Sequence, residues 1–210
     1  MPKRGDRGGA QTRARIAAAA TDLFLKRGFE DVTTAEVAAA AGVSKVTVFA
    51  HFDRKEDLLL DRLPDALDAT RSAIRERADG TDVLEAIRRA ALALAAQRHP
   101  LSGLSEGAEP LLRTLTGSPA LISRLRQFEY EIEKELAAEL DADAHFRGDS
   151  ALVAALLVAA YRTVAVDTVR RRLAGDDLTE ISEAHHSRLE HAFEVLTTGI
   201  PSSTPQPHNR

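Results

Sequence analysis

The sequence predicts an all-α fold, and three observations carry that expectation. Apolar residues recur at helical spacing wherever they are periodic. Glycine and proline fall between the periodic segments, where they punctuate helices. No run of alternating β-branched residues is long enough to demand a strand. A chain of 210 residues that is 44% hydrophobic can bury a core and carry a compact second part.

The helices are bounded by recognisable caps. Thr12 is placed to cap a first helix whose Ile16, Ala20, Leu23, Phe24 and the stem of Arg27 share a face, with Gly28 as its left-handed terminus. Thr33 with Glu36 reads as a capping box before a short helix that Gly42 ends, and Ser44 opens the next. Asp53 with Glu56, and Asp82 with Glu85, repeat the box signature. Pro64 lies inside the segment Asp61 to Arg77, so a kink, split or hinge is expected there. Gly117, Ser118 and Pro119 supply a C-terminal glycine, an N-cap and a first-turn proline. A stripe of Leu121, Leu125, Phe128, Ile132, Leu136 and Leu140 then marks a long amphipathic helix. Asp149 or Ser150 caps a helix to about Arg172, and Asp177 with Glu180 caps a last one that closes at Gly199 and Pro201. Loops are expected at 99–108 and 141–149, and the tail SSTPQPHNR is too polar and proline-rich to pack.

Thr33 to Phe52 holds two short helices joined by a glycine-bearing turn, which is a helix-turn-helix. Ala38 and Ala41 let the two helices approach, and Val37, Val43 and Val48 supply buried contacts. Counting 100° per residue from a Ser44 cap, Val48 and Phe52 point inward, while Val46, Thr47, Phe49 and Ala50 face outward. A major groove gives outward apolar side chains thymine methyls to pack on; completing the core against the first helix is the other place for Phe49. Lys45 in the first turn, with Thr33, Thr34, Ser44, His51 and Lys55 at helix starts or ends, is placed to reach base edges or phosphates. Charge points the same way: residues 1–55 hold ten Lys/Arg and six Asp/Glu, the remainder eighteen and twenty-six, giving +4 and −8. Arg4, Arg7 and Arg13 form either an arm toward a minor groove or a solubilising tail.

These residues resemble the TetR family of transcriptional regulators over about Thr12 to Leu60. The first helix ends LFLKRGF, and TTAEVAAAAGVSKVTVFAHFDRKEDLL follows in the family's order: Thr-Thr, an alanine-rich helix, Gly-Val-Ser, a short recognition helix, an aromatic-x-His-Phe run and a Lys-Glu-x-Leu start. The resemblance implies a homodimeric, all-helical repressor that binds double-stranded DNA. Its C-terminal domain would bind a small-molecule effector and control DNA affinity. Two positions depart from the pattern. Phe49 stands where the family often has a phosphate-bonding tyrosine, and Val46 stands where glycine is frequent.

The expected organisation is a flexible basic arm over 1–11, a DNA-binding domain over 12–58 with the helix-turn-helix at 33–52, a helical effector-binding and dimerisation domain over 59–199, and a disordered tail over 200–210. Residues 150–173 are apolar nearly all round in their first half, so that helix needs cover on two sides. Pairing it, together with the last helix and its stripe of Ile181, Leu189, Ala192, Phe193 and Leu196, across a two-fold axis would supply that cover; burial inside a monomer is the alternative. For the effector, Phe128, Tyr130 and Tyr161 with Leu111, Leu112 and Leu115 offer apolar walls, and Arg113, Arg162 and Asp167 offer polar anchors.

Other functions find less support. The chain has no cysteine, which excludes disulfides, thiolate chemistry and a zinc–cysteine site. Glu129, Glu131, Glu133 and Glu135 spread around a helix instead of converging, and His185, His186 and His191 lack the four-residue spacing of helix metal ligands. No glycine loop cradles phosphate, so neither a cofactor nor an enzyme is expected. The longest strongly apolar run, Ala151 to Tyr161, falls short of the ~18 residues that suggest a membrane span. The basic start lacks a secretory apolar stretch. A soluble cytoplasmic regulator is the expectation, with a helical protein-interaction module that has lost DNA binding as the alternative.

Overall fold

The computed structural model describes residues 4–199. Among them there is no strand, and the helices are α1 (Arg4–Arg27), α2 (Thr34–Ala40), α3 (Lys45–His51), α4 (Leu63–Arg75), α5 (Val83–Ala96), α6 (Glu109–Gly117), α7 (Pro119–Ala142), α8 (Ser150–Ala174) and α9 (Leu178–Thr198). Single 3-10 turns occur at Glu56–Leu58 and Pro100–Ser102. The all-helical fold expected from the sequence is therefore observed.

The chain forms two compact units, Met1–Ala66 with Glu106–Tyr130, and Leu67–Ser105 with Glu131–Arg210. They are not the contiguous segments that the sequence reading outlines, because residues 106–130 return to the first unit. The cause is packing: Leu111, Leu115, Leu121 and Leu125 pack into the cluster built by Ile16, Ala20, Phe24, Val37, Val48 and Phe52. Ile16, Phe24, Val37 and Val48 are wholly inaccessible to solvent, and the rings of Phe24 and Phe29 lie 4.9 Å apart.

In the second unit, Ile74, Val83, Ile87, Leu136, Leu140, Ala154, Leu157 and Phe193 form one cluster, and Ala95, Leu104, Val164, Ile181 and Leu189 another. Helices α8 and α9 run antiparallel, with Thr168 paired to His185 at 2.7 Å and Asp167 to Arg188 at 2.8 Å. Ala154, Leu157, Val164, Thr168 and Arg172 are buried on one side of α8, while Leu152, Leu156 and Val166 stand 56%, 45% and 62% exposed on the other.

Several caps are those read from the sequence. Thr33 and Glu36 form the capping box, and Ser44, Asp82, Asp149 and Asp177 each accept from backbone amides in the first turn of their helices. Gly28, Gly42 and Gly175 close helices with φ of 93°, 64° and 85°, values that glycine adopts without strain. Arg98 does the same work after α5 with φ 48°, and the following His99 amide donates to Leu94 O at 2.9 Å.

Other boundaries differ from expectation. Residues 4–11, set apart as an arm, are helical and continuous with α1, so Thr12 lies inside that helix; no proline interrupts the segment. The box expected of Asp53 and Glu56 does not form: Lys55 takes the cap position without a side-chain hydrogen bond, and only a three-residue 3-10 turn follows, because Leu58, Leu59 and Leu60 are all buried and one face of a continuing helix cannot hold three successive residues. Pro64 sits in the first turn of α4, where its missing amide costs nothing, so it starts that helix and does not kink it. Gly117 is the last residue of α6 and lacks a positive φ. The tail over 200–210 lies outside the described residues.

Candidate nucleic-acid interface

Helix α2 is only seven residues long, and its start is fixed by side chains. The Thr33 hydroxyl accepts from Glu36 N at 3.3 Å and donates to Glu36 Oε2 at 2.8 Å, while the Thr33 amide donates to the same carboxylate at 2.8 Å. Arg27, from the end of α1, donates to Glu36 Oε1 at 2.7 Å and to Asp31 O at 2.9 Å. The Thr33 amide, then Arg27, then the Thr33 hydroxyl hold the Glu36 carboxyl down to about 2. Thr33 is therefore committed to its own helix, while Thr34 is half-buried beside it.

Helix α3 is anchored at both ends. Ser44 Oγ accepts from Thr47 N at 3.0 Å and lies 2.9 Å from Thr47 Oγ1. At the far end Arg13, from α1, donates to His51 O and lays its guanidinium 4.0 Å from the Phe52 ring centroid. Between these anchors Val48 and Phe52 are 0% and 2% exposed. Val46 is 79% exposed, Phe49 46%, and Lys45 and Ala50 are exposed beside them. Phe49 is thus not a core residue, and the Lys45 ammonium lies 5.7 Å from its ring.

Lys55 is half-buried, its ammonium 4.3 Å from the Phe29 ring and 3.5 Å from Glu30 O. More of the unit braces this region: Arg124 donates to Asp57 at 2.7 Å, Ser118 to Glu30 at 2.7 Å and Arg54 to Gln127 at 2.6 Å. Ser44, Lys45, Val46, Thr47, Phe49 and Ala50 are brought together on one helix, with His51 half-buried at its end.

The six residues proposed for an effector are divided between the two units. Arg113, Phe128 and Tyr130 belong to the first unit, and Tyr161, Arg162 and Asp167 to the second. Phe128 is buried with Arg124 6.0 Å from its ring, Tyr130 is 60% exposed, and Arg113 and Arg162 are exposed. Asp167 is held by Arg170 and Arg188, which lower its pKa. Tyr161 packs against the second unit's smaller cluster, and burial pushes its phenol up to about 12. A groove of about 650 Å³ between α5 and α9, lined by Leu84, Glu85, Arg88, Glu190, His191 and Phe193 among others, includes none of the six. Among the described residues no three His, Asp or Glu side chains converge to hold a metal ion.

Two features escaped the sequence reading. Arg13 belongs to no arm but clamps the end of α3; its place one turn before Ile16, on the first helix, is the signal in the sequence. His185, which the sequence offers only as a candidate metal ligand, is a core residue. It is 2% exposed, filling the four-residue step between Ile181 and Leu189, and burial with the neighbouring His186 charge pushes its imidazole down to about 4.

Comparison with known proteins gives this geometry its context. Residues 16–61 match the profile of bacterial regulatory proteins, tetR family. The HTH-type transcriptional regulator TcmR of Streptomyces glaucescens is 28% identical over 191 residues, covering 86% of this chain and 82% of its own length. TtgR of Pseudomonas putida, another HTH-type transcriptional regulator, is 36% identical over 85 residues, 40% of each chain. The crystal structure of Thermus thermophilus FadR, a TetR-family transcriptional repressor in complex with lauroyl-CoA, superposes with a TM-score of 0.58 at 26% identity, covering 94% of this chain and 100% of that one. Residues 16–61 are thus a tetR-family regulatory domain, and along most of its length the chain is similar to TetR-family transcriptional regulators.

Proposed function

We propose that the protein is a cytoplasmic homodimeric repressor that grips a palindromic operator through α3 and releases it when a small-molecule effector binds. The observation that carries this reading is the division of α3 into two faces. Val48 and Phe52 are sealed in the core, while Val46 and the outer side of Phe49 face solvent beside Lys45. A helix anchored at both ends and apolar on its free face is suited to a major groove. Lys45, Val46, Thr47, Phe49 and Ala50 would face the groove, with Thr34, Ser44, His51 and Lys55 toward the backbone and Thr33 acting through its cap. Residues 12–58 would thus be the DNA reader.

Dimerisation is assigned to α8 and α9 within residues 59–199. Leu152, Leu156 and Val166 fall within a sector of ~80° on α8, opposite the side that packs on its own unit. That helix is long and apolar enough to cross a membrane, since Val164 to Val166 extend its apolar character past Tyr161; only 22% of its most apolar 18-residue window is buried. Core helices of soluble proteins pass the same test, and cover by a second copy accounts for the exposure with less demand. The effector reading leans on the family and on the repressor solved with lauroyl-CoA.

Footprinting on DNA upstream of its own coding region tests the central claim. Protection that weakens steeply with salt is expected, and Lys55→Ala, which removes a proposed phosphate contact, should lower the salt slope by about one. Failure to bind any duplex at low salt refutes the reading and favours a protein-interaction module.

A further inference from the structure

The outward face of α3 specifies more than a duplex. Between Ser44 and Phe52 the chain has no Arg, Asn, Gln, Asp or Glu, so most side chains that take guanine, adenine or cytosine edges by directed hydrogen bonds are missing. Ser44 and Thr47 engage each other's hydroxyls at 2.9 Å. His51 lies at the helix's anchored end, with its ring near Gly9 of α1. Lys45 is the one Lys or Arg on this helix, the side-chain types that most often take a guanine edge, and its ammonium stands over Phe49.

What remains is a strip of Val46, Phe49 and Ala50 at positions i, i+3 and i+4, exposed at 79% and 46% for the first two. It covers ~6 Å along the helix axis, about two base-pair steps. In a major groove the apolar group on a base edge is the C5-methyl of thymine. Net charge of +4 over residues 1–55 favours a polyanion as the occupant over an apolar protein surface.

We infer that the operator half-site is recognised through thymine C5-methyl groups packed against Val46, Phe49 and Ala50. The inference rests on the DNA-binding reading above and deepens it: specificity comes from apolar contact with methyls, and hydrogen bonds to base edges are confined to Lys45.

The full-length protein would first select duplexes from a random-sequence pool. Each thymine of the enriched half-sites would then be replaced by deoxyuridine, which removes the methyl and keeps the base pair. Binding should weaken about fourfold per contacted methyl, at two or more positions in each half-site. Val46→Ala and Phe49→Ala, both at exposed positions, should each abolish the deoxyuridine effect at one position while leaving the others. Enriched half-sites without thymine, deoxyuridine that is neutral throughout, or penalties that survive both variants would overturn the thymine rule while leaving DNA binding intact. A pool from which nothing is enriched overturns the DNA-binding reading itself.

Discussion

Replacing Arg13 with alanine removes two contacts that tie α1 to the end of α3: a charged hydrogen bond to His51 O and a guanidinium 4.0 Å from the Phe52 ring. A hydrogen bond from a charged donor is worth about 1.5–3 kcal/mol and a partly exposed cation–π contact about 0.5–1 kcal/mol. Arg13 is half-buried, so the lower ends apply, and the loss should be about 2 kcal/mol. With a urea dependence of about 2 kcal/mol per molar, the unfolding midpoint followed by circular dichroism should drop by about 1 M. Lysine at this position keeps the charge and loses the planar fork, so it should restore about half of that shift. DNA affinity should fall in Arg13→Ala while its salt slope stays unchanged, because the side chain holds the reader and leaves phosphate to others. A midpoint shift under about 0.3 M, or a slope lowered by about one unit, would refute the clamp and return Arg13 to the phosphates.

Leu156→Arg, on the free side of α8, should turn a dimer into a monomer in sedimentation equilibrium, weakening pairing about 100-fold or more by burying unpaired charge; a variant that keeps its partner would remove α8 from the interface. Arg98→Gly should be more stable than Arg98→Ala by about 1 kcal/mol, since glycine takes φ 48° without the penalty an L side chain meets there, and equal melting temperatures of the two variants would contradict this. His185 adds acid sensitivity. The unfolded chain takes its proton near 6.5 and the folded one resists until about 4, so the contribution is complete above 6.5 and is lost as pH falls through that window. Melting curves of His185→Gln should therefore decline less than those of the parent between those two pH values, and parallel declines would exclude the role.

What was legible in the sequence was local. Thr33 with Glu36, and Ser44, Asp82 and Asp177, announce helix starts because cap and capped amide lie within three residues of each other. The two faces of α3 followed from the angular step of a helix, and Val48 and Val46 lie where that step puts them. Contacts across long stretches of chain were not legible. Arg13 reaches a carbonyl 38 residues away, and Leu121 joins a core built mainly by residues before 61, so neither could be read from spacing. Pro64 misled because a proline in a periodic segment reads the same whether it breaks a helix or begins one. The six effector candidates share only residue type, which carries no information on whether side chains meet.

The bare side of α8 bears on how this protein can be handled. A strip holding Leu152, Leu156 and Val166 in water invites adhesion, so a lone copy is a sticky species more than a resting one. If a second copy covers that strip, as proposed, dilution should show up as material lost to tube walls and aggregates before any tidy half-mass particle appears.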